Sequence, residues 1–189
     1  DQLSGKSDRA PKTSVANFGF CIGATSGNLR SLNDAQPACG IKIFMGSSTG
    51  DLLVDDEKHL DQIFGNGNRL IAVHAEDETR IQDRTKSLLD GNENPDYSIH
   101  SIIRDPQTAL IATERALSLS KKYERRLHVL HLSTAEEVKR LRHDKPDWVS
   151  CEVIPNHLFL NTDDYQTLGS RVQMNPPIRD PENTPELWA

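Results

Sequence analysis

Three cysteines in 189 residues, Cys21, Cys39 and Cys151, are too few and too scattered to organise a fold. They are odd in number and form no Cys-x-x-Cys pair, which excludes a disulfide framework and a structural zinc knot and fits a reducing, cytoplasmic setting. No apolar run approaches the roughly 18 to 20 residues that span a bilayer, and residues 1–12 contain no apolar stretch that could act as a signal peptide. A basic stripe is also missing. The 22 Lys and Arg are dispersed and the formal charge is -6, so neither nucleic acid nor an anionic membrane is the expected partner, and a small molecule is. Several motifs are absent too. The loop Gly46-Ser47-Ser48-Thr49-Gly50 lacks the Gly-Lys-Ser/Thr ending of a phosphate loop, and Gly5-Lys6-Ser7 has that ending without a preceding strand. Ser48 and Thr49 lie in no Gly-x-Ser-x-Gly elbow, and His74-Ala75-Glu76-Asp77 is not the His-Glu-x-x-His of a metalloprotease. The chain opens on Asp1 rather than methionine, and its natural start is expected upstream.

What is present is an alternation. Apolar blocks at Val15–Ile22, Ile41–Met45, Leu70–His74, Leu127–Leu132 and Trp148–Ile154 read as strands. Between them, Asp55–Phe64, Glu76–Leu89, Asp105–Tyr123 and Thr134–His143 read as amphipathic helices. The strand blocks are nearly continuous apolar runs, as expected in a parallel sheet covered on both faces. Asp105-Pro106 predicts an N-cap followed by proline at the first helical position, and Ser133-Thr134-Ala135-Glu136 resembles a capping box. Asp55-Asp56-Glu57 reads as an acidic first turn, 90–101 as a surface loop, and the proline-rich stretch 175–185 as extended. About five strand-helix units fall short of the eight that close a β/α barrel, which leaves an open doubly wound sheet or a barrel cut at both ends.

Lys42, inside Gly40-Ile41-Lys42-Ile43-Phe44, is the least ordinary polar residue. A lysine among apolar neighbours must lose its charge, pair it or be chemically changed. Pairing with Glu76 or Asp77 at the sheet end is the plain alternative. His74 and His131 close two strand blocks at the end where α/β sheets carry their sites. A single histidine there is more often a hydrogen-bonded structural residue, whereas two on adjacent strands could share a metal ion. His157 and Asn175 follow the later blocks, where a hydrogen-bonded loop role is the default.

Five segments together resemble the dihydroorotase family of cyclic amidohydrolases: 40–50 (GIKIFMGSSTG), 72–77 (AVHAED), 128–134 (HVLHLST), 151–158 (CEVIPNHL) and 174–179 (MNPPIR). The resemblance implies a partial TIM-like β/α barrel of the metal-dependent hydrolase type, with roughly the third to seventh strands present. It implies one incomplete domain over 1–189 and a cytoplasmic enzyme of pyrimidine biosynthesis. Two zinc ions are implied, bridged by carboxylated Lys42, with His74 and His131 binding the second; Asn175 would contact substrate, and His128 matches no ligand. Asn156 stands where many relatives have histidine. The family's first-strand His-x-His with its arginine, and its last-strand general acid and base, an aspartate, have no counterpart, so the segment is expected to be inactive alone. Within the same class the rivals are hydantoinase, dihydropyrimidinase and allantoinase. From other classes come a non-catalytic homologue acting as a scaffold, and an independent open-sheet binding protein. A homodimer or a complex with other pyrimidine enzymes is compatible with the resemblance.

Overall fold

The structure is a computed structural model and describes residues 2–46, 52–91 and 94–189. The Ser47–Gly50 part of the serine- and threonine-rich loop therefore lies outside the described residues. Five strands, β1 (Cys21–Gly23), β2 (Gly40–Phe44), β3 (Ile71–His74), β4 (Leu127–Val129) and β5 (Val149–Cys151), form one sheet in sequence order. All four pairings are parallel. Ten α-helices accompany them among the described residues: α1 (Gln2–Thr13), α2 (Ser31–Asp34), α3 (Glu57–Gly65), α4 (Glu78–Leu89), α5 (Ile99–Ile103), α6 (Pro106–Tyr123), α7 (Ala135–Asp144), α8 (Pro155–Phe159), α9 (Tyr165–Leu168) and α10 (Thr184–Trp188).

Strand order decides between the two architectures left open above. A doubly wound sheet reverses its order at a switch point and carries helices on both faces. Here the order never reverses, and the two faces differ. Register places Ile41, Ile43, Ile71, Val73, Leu127 and Val129 on one face, each with no exposed surface. They pack against Leu60 and Phe64 of α3, Ala112 and Leu117 of α6 and Leu141 of α7. The other face presents Gly23, Lys42, Phe44, His74, His128 and Ser150. Helices outside and polar groups inside is the layout of a barrel arc. The expectation of strands apolar on both faces therefore holds only for β3, which is buried throughout; β2 and β4 alternate.

Each major helix after β2 starts on a side-chain cap. Asp56 accepts from the His59 amide, Asp77 from Arg80, Asp105 from Thr108 and Thr134 from Glu137. Each cap satisfies one of the amides that a helix start leaves unpaired. The capping box of α7 pairs Thr134 with Glu137, one residue beyond the Ser133–Glu136 reading. Asp56 is a cap rather than part of the acidic first turn.

Other elements differ from expectation as well. Of Val15–Ile22 only its end is strand: Val15 is fully exposed, and Phe18, about half exposed, meets only the Phe20 ring among the described aromatic contacts, with centroids 5.8 Å apart. α1 buries no residue, so it left no apolar pattern to read. α5 begins within the stretch read as loop, and the proline-rich end folds into short turns of helix, including α10. The Sγ atoms of Cys21 and Cys39, far apart in sequence, lie 3.8 Å apart as free thiols. No helix among the described residues is long and apolar enough to cross a membrane.

Candidate metal centre

His74 ends β3, and His131 lies two residues past β4 with a left-handed φ of 41°. That turn brings its ring back over the end of β3. His74 Nδ1 and His131 Nε2 come within 3.0 Å, and the rings meet edge to face with centroids 4.7 Å apart. Two nitrogens on one tetrahedral zinc, with bonds of about 2.0 to 2.1 Å, stand about 3.3 Å apart. The pair fits one ion after a shift of a few tenths of an ångström.

The outward nitrogens differ. His74 Nε2 donates to Glu76 Oε2 at 2.7 Å, the carboxylate-histidine arrangement that fixes the tautomer of a metal ligand and leaves Nδ1 free to bind. His131 Nδ1 is buried with no hydrogen-bond partner among the described residues. Burial, reinforced by the charges of His74 and Lys42, lowers the His131 pKa to about 3. At neutral pH its imidazole is therefore uncharged, the form that binds metal. Burial by itself would raise the Glu76 pKa, but the His74 hydrogen bond and the charges of Arg104 and Arg179 outweigh it and hold the carboxyl ionised.

Lys42 is half-buried on the same sheet face, its Nζ 4.4 Å from the centre of the Phe44 ring. Phe44 in turn stands beside His74, with ring centroids 6.0 Å apart. Among the described contacts Lys42 makes no ion pair with Glu76 or Asp77. Glu76 is committed to His74 and Arg104, and Asp77 caps α4 while facing Arg115. Burial lowers the Lys42 pKa to about 8, against the milder opposing pull of Cys21 and Glu152.

Asn175 is set apart from the histidines but linked to them. Its Oδ1 accepts from Arg104 Nε at 3.0 Å and from His100 Nε2 at 2.9 Å. His157 belongs to α8 rather than a loop and donates from Nε2 to the Pro176 carbonyl at 3.1 Å, next to Asn175. His128 meets Ser150 at 2.8 Å and Glu152 at 3.3 Å. Sequence reasoning missed Glu76 as the partner of His74, together with Arg104 and Arg179. The only sign of Glu76 was a carboxylate two residues beyond a strand-end histidine. Gly46 serves this site by its small size: a Cβ there would stand 2.5 Å from the Glu76 carbonyl oxygen. Among the described residues no third His, Cys, Asp or Glu joins the histidine pair in a ready metal cluster.

No family model matches the chain. The curated dihydroorotase of Methanosarcina mazei is 36% identical over 189 residues, covering 92% of this chain and 40% of that protein. The dihydroorotase of Methanosphaera stadtmanae is 31% identical over 181 residues, covering 93% of this chain and 40% of that protein. Among solved structures, L-hydantoinase from Arthrobacter aurescens matches with a TM-score of 0.90 and 28% identity, over 98% of this chain and 43% of that one. A dihydroorotase from Campylobacter jejuni shares the fold with a TM-score of 0.61 at 14% identity, over 98% of this chain and 52% of that one. The chain spans about two fifths of the length of the curated relatives it matches. Its five parallel strands are an arc of their β/α barrel, and the chain belongs to the dihydroorotase family of cyclic amidohydrolases.

Proposed function

We propose that the protein carrying this chain is a zinc-dependent hydrolase that opens or closes the cyclic amide of dihydroorotate in the cytoplasm, as a step of pyrimidine biosynthesis. The observation that carries the reading is the approach of His74 Nδ1 and His131 Nε2 to 3.0 Å at the C-terminal edge of a parallel sheet. Lys42 extends the site. With a pKa near 8, part of its amine is neutral at working pH and can add to carbon dioxide. The N–C bond forms, one proton leaves, and the product is a carbamate with the bridging geometry of a carboxylate. Two zinc ions held by this carbamate and the histidines would polarise the ring carbonyl and lower the pKa of the attacking water. Asn175 offers its amide to the substrate. In the hydrolytic direction water adds at the carbonyl carbon, the ring C–N bond breaks, and the nitrogen takes a proton. The proton carrier is an aspartate without a counterpart in these 189 residues, and we infer that they form one incomplete barrel domain that does not catalyse alone.

A second reading, hydantoin as substrate, draws on the 0.90 TM-score with an L-hydantoinase. Assays of the intact protein on dihydroorotate, hydantoin, dihydrouracil and allantoin separate the two. The expected result is preference for dihydroorotate, loss of turnover with a chelator, and recovery with zinc. Lys42→Ala should lose both bound zinc and turnover. Hydantoin turned over in place of dihydroorotate would change the substrate, two zinc ions retained by Lys42→Ala would remove the bridging role, and turnover by residues 1–189 alone would end the inference of inactivity.

A further inference from the structure

Beneath the two histidines lies a cluster of buried charge that the ligand set does not use. Arg104, at the C-terminal end of α5, and Glu76 have side chains 6% and 0% exposed. The Arg104 guanidinium places Nη2 3.5 Å from Glu76 Oε2, the same oxygen that accepts from His74. Its Nε donates to Oδ1 of the exposed Asn175 at 3.0 Å. An arginine Nε–H can only donate, so the atom it meets is the amide oxygen, and His100 Nε2 meets that same oxygen at 2.9 Å. Asn175 is thereby held by its oxygen, which faces Arg104 and His100.

Arg104 is itself fixed. Its carbonyl accepts from Arg179 Nη1, and Arg179 reaches Ser133 Oγ at 3.0 and 3.1 Å, two residues beyond His131. A guanidinium that served only to neutralise Glu76 would not need its Nε aimed at a surface amide. A planar fork that serves a carboxylate through one nitrogen and an amide through another, in fixed relation, is a geometry that lysine cannot copy.

We propose that Arg104 is a positioning residue that couples the Asn175 amide to the His74 imidazole through Glu76, joining the substrate side of the site to its metal side. The inference rests on the reading of His74 as a metal ligand and of Asn175 as a substrate contact. Arg104→Gln and Arg104→Lys in the intact protein test it. Zinc affinity is measured by competition with a chelator, kcat and KM are measured on dihydroorotate, and folding is checked by circular dichroism. Arg104→Gln is expected to weaken zinc binding about 10-fold or more, in the range seen for outer-shell partners of metal ligands, and to raise KM by a similar factor. Arg104→Lys splits the two effects. Its point charge can stay on Glu76, so zinc affinity returns to within about 2-fold of wild type, while Asn175 loses its planar donor and KM stays high.

Zinc affinity and KM both unchanged in Arg104→Gln would overturn the coupling, as would an Arg104→Lys variant that restores both or neither. Should Arg104→Gln fail to fold, the presence or absence of the split in Arg104→Lys decides alone. A wild-type protein that binds no zinc defeats the metal reading together with the coupling. Normal zinc binding in the wild type with indifferent Arg104 variants defeats the coupling alone.

Discussion

The centre of the sheet and its first edge are built from similar short apolar blocks, yet they end in opposite states. On β2, β3 and β4, Ile41, Ile43, Ile71, Val73, Leu127 and Val129 are wholly buried, because each strand has a neighbour on both sides and helices over its apolar face. At the edge, β1 has one neighbour, α1 buries nothing, and Val15 and Phe18 stand in solvent. A trough of about 750 Å³ lined by Gln2, Leu3, Lys6, Phe20, Cys21 and Leu52 runs beneath α1, away from the histidine pair. Apolar composition therefore nominates a segment for burial, and only the elements around it complete the burial. The site follows the same rule. Its histidines sit at the end of the strand pair β3–β4, where surrounding structure can hold a ring and a carboxylate in fixed relation.

Substitution at one central and one edge position sharpens this contrast. Leu127→Ala in the centre is expected to cost about 2 to 5 kcal/mol in a urea melt, the transfer loss plus an unfilled cavity. Val15→Ser at the edge, where the side chain is fully exposed, should stay within about 0.5 kcal/mol. An equal loss at both positions would break the comparison and show that the edge is packed in solution.

A smaller effect is expected at the helix starts on the central side. Thr134→Ala removes the cap of α7 and one of the donors to Glu137, which is buried and accepts from Thr134 Oγ1 at 2.9 Å and from Thr113 Oγ1 at 2.7 Å. The expected cost is about 1 kcal/mol, read as a lower midpoint with an unchanged denaturant slope. An unaltered midpoint would show that the remaining donors suffice.

The smallest effect is acid sensitivity. Burial pushes the Asp105 pKa up, but hydrogen bonds from Arg80 and Thr108 and the charge of Arg84 pull it down further, from 3.8 to about 2. A carboxyl depressed in the folded state contributes stability above its unfolded pKa, and that contribution is lost as pH falls through the folded one. Asp105→Asn should therefore reduce the loss of stability between about pH 4 and pH 2, by about 1 kcal/mol or less because the group is partly solvated. Identical acid titrations of the two proteins would rule this out.

How much could be read in advance depended on the range of the interactions. Four helices and the strands β2 to β5 were legible because their signals are local: apolar blocks, a following cap, a proline at the first turn. Lys42, His74 and His131 were legible as candidates because a lysine among Ile and Phe and a histidine at a strand end are locally unusual. Arg104 gave no such sign. Its partner Asn175 lies 71 residues away, and nothing in Ile-Ile-Arg-Asp-Pro distinguishes a buried guanidinium from a solvated one. The approach of Cys21 to Cys39 was hidden for the same reason, since it depends on two parallel strands lying in register.

The order of residues alone determined that strands and capped helices would alternate, because capping and apolar patterning act over a few neighbouring residues, whereas the polar inner face of the sheet was not among its readings. Only the tertiary structure decided that the sheet would curve in sequence order rather than reverse, that His74 would face His131 across 57 residues, and that Glu76 would serve His74 instead of Lys42. Those outcomes depend on register between distant strands and on competition for a buried charge, and both exist only once the chain has folded.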